Sequence, residues 1–441
     1  MEEQVHITAM TYGSAGIGRL SNGKAIFVEG GIIGDTVLAR IDEEKSSFAK
    51  GTAIEIVEPS PHRIKPLCPY ADLCGGCPWA AMDYETQLKA KRDNLVSSLV
   101  RIGGFDEEKM QNMVENMVPS KHQWNYRNKI ELAAYTNEKG QLEVGMHRRD
   151  GKGVLPVDSC KLAHKKVEKA PKALRGALRY CQGKTDDLRL FRVGLRHSNN
   201  TGDTEIALWT PTGPFPRSLV SKVLSDAQKA SSVVRVMANE GKKREIKKVE
   251  VLSGKGFWRE TMGETKFMVS APSFFQVNTR QARVMVDTVI DALNVTEESR
   301  IADLYAGGGT FSIPLAFITD EVMAVESAAS SVRDLKRNAE YNQVWVEAIG
   351  GDSARELPLL GNLDALVVDP PAAGLDKSVP ASIASAKPNQ VAYVSCNPTT
   401  LARDLQRFTE VGYEPSRIVP VDLFPQTYHA ETVCILDRVK A

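Results

Sequence analysis

Apolar and polar positions along the chain fall into three regimes. Over residues 5–58, short alternating runs at Val5–Thr8, Ala25–Val28, Thr36–Ile41 and Gly51–Val57 are punctuated by glycines at 13, 16, 18, 23, 30, 31 and 34. Short strands spaced by turn residues predict a small β-barrel. Pro59, Pro61 and Pro66 mark its end, because proline interrupts regular structure. Asp83–Ile102 then carries Tyr84, Leu88, Leu95 and Leu99 near helical spacing among charged residues, which predicts an amphipathic helix. Residues 120–260 mix strand-like runs (Lys129–Tyr135, Leu190–Arg196) with a basic stretch, Lys161–Tyr180, that reads as helix. From about residue 270 the order becomes regular. Helical patterns at Gln281–Leu293, Phe311–Phe317, Ser330–Tyr341 and Thr400–Val411 alternate with strands at Arg300–Leu304, Glu321–Glu326, Ala365–Asp369 and Val391–Ser395. Two strand-like runs, Pro415–Asp422 and Thr432–Arg438, close the chain. Such alternation predicts a parallel sheet covered on both faces. The expected fold is therefore multi-domain α/β: a barrel over residues 1–60, a central α+β domain over 61–270 and a Rossmann-like domain over 271–441.

Composition narrows the class without naming it. At 42% hydrophobic and 25% charged over 441 residues, the chain is neither disordered nor collagen-like. No apolar run approaches the ~18 residues of a membrane helix. The acidic opening, Met-Glu-Glu-Gln, has no apolar signal region, so a cytoplasmic protein is expected. Seven cysteines, an odd number, suit a reducing compartment better than a disulfide framework. The net charge of +1 hides an asymmetry: residues 121–200 hold 18 basic and 8 acidic groups, whereas residues 251–441 hold 17 and 24. A basic block between acidic flanks is the footprint of a polyanion. Arg148, Arg149, Lys165, Lys166 and Lys169 are its candidate contacts.

The regular sheet carries the candidate chemistry at its strand ends. Asp303-Leu-Tyr-Ala-Gly-Gly-Gly-Thr310 leaves a strand and opens a helix, where glycines let a ligand approach the backbone. Ser312 stands where a dinucleotide fingerprint needs Gly or Ala, which disfavours NAD. Glu326 ends the next strand, placed to accept ribose hydroxyls. Asp369-Pro-Pro ends another, and the Ala372 that follows argues against adenine-amino methylation, which uses an aromatic there. Cys396, in Ser-Cys-Asn-Pro, ends the next. A thiol there is either a buried structural group or a nucleophile. Beside a methyl donor and a pyrimidine, a thiolate adding to C6 makes C5 nucleophilic. A base must then remove the C5 proton. Glu431 is the best-placed candidate and His429 the weaker one. Cys68, Cys74 and Cys77 cluster in C-x5-C-x2-C spacing, and such soft donors suit zinc or iron–sulfur.

Together these segments resemble the RNA uracil-C5 methyltransferase family in its three-domain form, with a TRAM barrel and an iron–sulfur cluster. The match runs through Tyr12–Arg19, Ala25–Gly34, Cys68–Cys77 with Gln87-Leu-x-x-Lys91, Gln276-Val-Asn278, Asp303–Thr310, Asp369–Pro371, Ser395–Pro398 with Leu401–Asp404, and Thr427–Glu431. The resemblance implies that Gln276, Tyr305, Glu326 and Asp369 bind S-adenosylmethionine. It makes Cys396 the nucleophile and Glu431 the base. It gives Cys68, Cys74, Cys77 and Cys160 a [4Fe–4S] cluster, and packs residues 80–113 on the C-terminal domain. The substrate it implies is RNA, above all 23S rRNA, with the target uridine flipped or in a loop, and the enzyme is expected to be a monomer. Transfer RNA is the alternative substrate. A non-catalytic assembly factor is a further reading, and a radical methylthiotransferase is disfavoured by the cysteine spacing. One departure stands out: the family usually has an arginine where this chain has Ala372, and Lys377 is a candidate replacement for its charge.

Overall fold

The computed structural model describes residues 1–185, 187–241 and 245–439. Five strands, Glu2–Met10, Ala15–Arg19, Ala25–Glu29, Thr36–Glu44 and Phe48–Glu58, close into a barrel. Val5, Ile7, Ile26, Val28, Val37 and Ala39 fill its interior, the alternate positions that point inward from a pleated wall. The strand Ala15–Arg19 is absent from the sequence expectation, because Gly16 and Gly18 read as turns. In the fold they are a close contact instead. A Cβ on Gly18 would lie 2.3 Å from Val5 Cγ1 and 2.7 Å from the His6 carbonyl oxygen, so only glycine lets the walls meet there.

The central sheet has seven strands in the spatial order Ile246–Gly254, Ser232–Ala238, Thr204–Thr210, Arg192–His197, Lys129–Thr136, Leu142–His147 and Val154–Pro156. Helices Ala170–Gln182 and Arg217–Gln228 bury Leu174, Leu178, Val220 and Leu224 against it. The basic stretch expected to be one helix from Lys161 is not. Lys165–Val167 forms a single 3-10 turn, and the α-helix begins at Ala170 with Pro171 in its first turn. Proline fits there, where its missing N–H has no helical partner to lose.

The C-terminal sheet orders its seven strands Glu347–Gly350, Val322–Glu326, Ile301–Leu304, Ala365–Val368, Gln390–Ser395, Glu431–Arg438 and Tyr413–Val421. Glu431–Arg438 alone runs against the others. Every residue of Ile301–Leu304 and Ala365–Val368 is buried, as a parallel sheet covered on both faces requires. The winding reverses between these two strands, and open α/β sheets bind ligands at the carboxyl side of such a switch. Two earlier segments complete this core. Helix Tyr84–Arg101 is capped by Asp83, whose side chain accepts from Thr86 N. It buries Leu95, Val96 and Leu99 with Leu401, Leu405 and Phe408. The hairpin Trp258–Met262 and Thr265–Val269 lays Trp258 and Phe267 on Met285 and Val286. Among the described residues, no helix is long and apolar enough to cross a membrane.

Candidate active site

Four neighbouring parallel strands end on one edge. Their exits carry Glu326, the glycine loop with Tyr305, Asp369 and Cys396, in that spatial order. The antiparallel partner pairs Thr432 with Ser395, so its first residue, Glu431, arrives at the same edge. That reversed strand is why a residue far along the chain stands beside Cys396. The glycine loop is shaped for close approach: Tyr305, Gly307 and Gly309 have φ of +64°, +57° and +94°. Nothing lies within 4 Å of a Cβ built on Gly307. Glu326 accepts from Gly307 N at 2.9 Å and Ala328 N at 2.6 Å. Asp303 accepts from the Ser312 hydroxyl, and its other carboxyl oxygen is buried without a partner. A glycine cradle, a strand-end carboxylate and an orphaned buried acceptor fit a nucleoside ligand. Gln276 is buried, and its carbonyl accepts from Asn128 Nδ2 at 2.9 Å.

Burial shifts the protonation of the candidate groups. Asp303 is pushed up to about 7, chiefly by burial, and Asp369 also to about 7, by burial and then by Asp303. Glu431, 4% exposed, is raised well above the usual range by burial and then by Asp369. The Cys396 thiol is pushed up to about 12 by burial, then by Glu431 and Asp369. An apolar surrounding penalises each charged form, and neighbouring acids add to the penalty. The free site therefore holds the cysteine as a thiol next to carboxyl groups able to exchange protons.

The loop before Glu431 is held from outside its own sheet. Lys91 Nζ pairs with Asp422 Oδ1 at 2.6 Å, both side chains wholly buried, and donates to the Phe424 carbonyl at 3.1 Å. Tyr84 donates to Asp422 Oδ2 at 2.7 Å. Gln87 Oε1 accepts from Gln426 N at 2.9 Å, where Gln426 has φ +73°. The Gln87-Leu-x-x-Lys91 motif thus fixes the loop that delivers Glu431. The barrel contributes as well. Tyr12 donates to the Cys396 carbonyl at 2.8 Å and lies 3.4 Å from His429 Nδ1. Its ring meets Tyr428 edge-on, with centroids 5.4 Å apart. No local pattern in the sequence marks Tyr12 as a neighbour of Cys396.

After Asp369 the chain turns at Gly374, φ +77°. Lys377 is exposed, while Arg403 Nη2 donates to the Ala373 carbonyl at 3.0 Å, so a cation from helix Pro398–Glu410 reaches this loop. In the basic block, Arg148 pairs with Asp150 and Arg149 Nη2 donates to the Ala71 carbonyl at 2.8 Å. Lys165, Lys166 and Lys169 are exposed.

Cys68, Cys74, Cys77 and Cys160 line one cavity of about 470 Å³. Burial raises Cys68, Cys74 and Cys77, and each is raised further by Cys160. Gly76 N donates to Cys74 Sγ at 3.4 Å. Among the described residues, no three His, Cys, Asp or Glu side chains are grouped to hold one metal ion. The geometry brings the four expected thiols to one cavity.

A doubly wound sheet with a nucleoside cradle at its switch point, joined to a barrel, defines a class of proteins that bind a nucleoside ligand at the sheet's carboxyl edge. Residues 83–359 and 360–439 match the tRNA (Uracil-5-)-methyltransferase family, and residues 2–54 match the TRAM domain. An uncharacterized RNA methyltransferase of Gloeobacter violaceus is 33% identical, covering 98% of this chain and 96% of its own. One from Thermotoga maritima is 32% identical, covering 99% of each. The crystal structure of Pyrococcus abyssi tRNA (uracil-54, C5)-methyltransferase in complex with S-adenosyl-L-homocysteine superposes with a TM-score of 0.75 at 27% identity, covering 98% of this chain and 99% of that one. The chain belongs to the tRNA (uracil-5-)-methyltransferase family, with a TRAM domain, and is an S-adenosylmethionine-dependent RNA uracil-C5 methyltransferase.

Proposed function

We propose that the enzyme methylates its uridine through a covalent bond from Cys396. The observation that carries this reading is the convergence of Asp369, Cys396 and Glu431 on one sheet edge beside the glycine cradle. S-adenosylmethionine, held by Gln276, Tyr305, Glu326 and Asp369, supplies an electrophilic methyl group when bound. Cys396 gives its thiol proton up to solvent through the neighbouring carboxyl groups, its Sγ bonds to C6, and the C5–C6 π electrons move toward O4, which makes C5 nucleophilic. Once C5 carries the methyl group, Glu431 takes the C5 proton, the C5–C6 double bond re-forms and Cys396 leaves. RNA containing 5-fluorouridine should arrest this sequence, because the base cannot remove fluorine as it removes a proton. Mass spectrometry should then find RNA bound to Cys396. Cys396→Ala should abolish methylation and leave RNA binding nearly intact. Glu431→Gln should accumulate the methylated adduct; normal turnover without adduct would refute the base assignment.

For the substrate we propose 23S rRNA, on the resemblance to the cluster-bearing three-domain form. The likeness to the P. abyssi tRNA enzyme supports transfer RNA as the second reading. Mapping 5-methyluridine in both RNA classes from deletion and parent cells decides between them. We further propose that Cys68, Cys74, Cys77 and Cys160 hold a [4Fe–4S] cluster with a structural role, joining two distant stretches of chain. Their soft sulfur donors around one cavity support this. Anaerobically purified protein should be brown and carry iron and sulfide; colourless protein with one zinc would overturn it.

A further inference from the structure

A second cavity, of about 560 Å³, lies between the central sheet and the start of helix Thr279–Ala292. It is lined by none of the residues assigned above to the reaction or to the cluster. Lys121, His122, Lys165 and Arg280 form an exposed rim. Burial lowers His122, and Arg280, Lys121 and Lys165 lower it further, so three cations face one imidazole. The floor is polar and buried: Asn128, His197, Glu260 and Asn278. Among the described residues, Glu260 is the one acid in the lining, and its carboxyl group is already engaged. It accepts from Ser198 Oγ at 2.7 Å, Thr261 N at 2.9 Å, Asn200 Nδ2 at 3.0 Å and Thr279 Oγ1 at 3.0 Å. His197 Nδ1 meets Thr204 Oγ1 at 2.8 Å, while its Nε2 is buried without a partner. Its ring stacks on His164, with centroids 5.0 Å apart. The helix that begins here adds the positive end of its dipole.

Converging cations call for a phosphate, but a phosphate alone would leave the floor unused. The volume falls in the range of small-molecule sites, and a ring edge or face beside amides and an unpartnered ring nitrogen is how proteins hold unstacked bases. We propose that this cavity receives one nucleotide of the RNA substrate, other than the target uridine, with its phosphate on Lys121, Lys165 and Arg280 and its base against His164, His197 and Asn199. This rests on the chain acting on RNA. Occupancy here would bear on the active site through shared walls. Asn128 Nδ2 donates to the Gln276 carbonyl at 2.9 Å, and Asn278 Nδ2 donates to the Leu423 carbonyl at 3.1 Å. A strand gripped at this point is held in register with the loop that carries Glu431.

The chain has seven histidines, few enough to assign each imidazole signal by single His→Gln variants. The test titrates the full-length protein with AMP, GMP, CMP and UMP to about 10 mM, enough to fill most of a millimolar site. His164 and His197 signals should shift with at least one nucleotide. Lys165→Ser with Arg280→Ser should weaken that binding about tenfold or more, with melting and S-adenosylhomocysteine binding unchanged. No shift at either histidine would overturn the proposal. Equal shifts with inorganic phosphate would also overturn it, leaving a plain anion site. 5-Methyluridine formation by the unmodified enzyme is scored separately. Methylation without histidine shifts defeats only this inference; shifts without methylation defeat only the catalytic reading.

Discussion

Cys396, the proposed nucleophile, sits in surroundings that oppose its ionisation. With its thiol pushed up to about 12 by burial, Glu431 and Asp369, the thiolate is scarce at neutral pH and grows about tenfold per pH unit. Alkylation of Cys396 by iodoacetamide in the free enzyme should therefore be slow at pH 7 and climb steadily to about pH 9; a plateau below that would refute the raised value. Asp303 and Asp369 carry the opposite consequence for the cofactor. Both are raised to about 7, so the folded state keeps protons that the unfolded chain releases near pH 4. The stability these two groups contribute is lost as pH rises from about 4 to about 7. A cationic sulfonium favours the ionised carboxylates. Affinity for S-adenosylmethionine should rise about tenfold between pH 6 and pH 8, and affinity for the uncharged-sulfur product should rise less. Calorimetry across that range checks both. At this scale the sequence was informative wherever a residue ended a strand: Cys396, Asp369 and Glu326 each follow an apolar run. Tyr12 was hidden, because its partner lies 384 positions away and no periodicity links them.

Among the elements, the helix Tyr84–Arg101 does more than cover a sheet. Its Lys91 and Asp422 are wholly buried against each other, so Lys91→Met would strand a carboxylate in the interior. That should cost about 3–5 kcal/mol, seen as a lower urea midpoint, and should lower kcat as the loop before Glu431 loosens. Unchanged stability would mean that Tyr84 and the local backbone suffice to hold Asp422. The helix itself was legible from its spacing, and the alternating elements after residue 270 from their pattern. What they clasp was not, because a buried lysine reads like any charged residue on a helix. The barrel strand Ala15–Arg19 was missed for the converse reason: its glycines serve packing rather than turning.

In the whole molecule, the barrel's Tyr12 donates a hydrogen bond to the carbonyl of Cys396, the proposed nucleophile. Tyr12→Phe removes it at a net cost of about 1 kcal/mol. The variant should melt nearly as the parent does, yet turn over more slowly at saturating RNA and cofactor; an unchanged kcat would reduce the contact to packing. The charge asymmetry read from the chain survives in outline, with Lys165, Lys166 and Lys169 exposed, but Arg149 turns inward, and only the tertiary fold could tell these apart. The pairing of Tyr12 with Cys396 also orders events during synthesis. At roughly 5–20 residues per second, the ribosome needs roughly 20–80 seconds to travel from one to the other. The barrel, whose last strand ends at Glu58, stands finished for that interval with its tyrosine unmatched. The proposed catalytic centre is completed late, and a chain released before Cys396 carries the barrel's half of the contact without its partner.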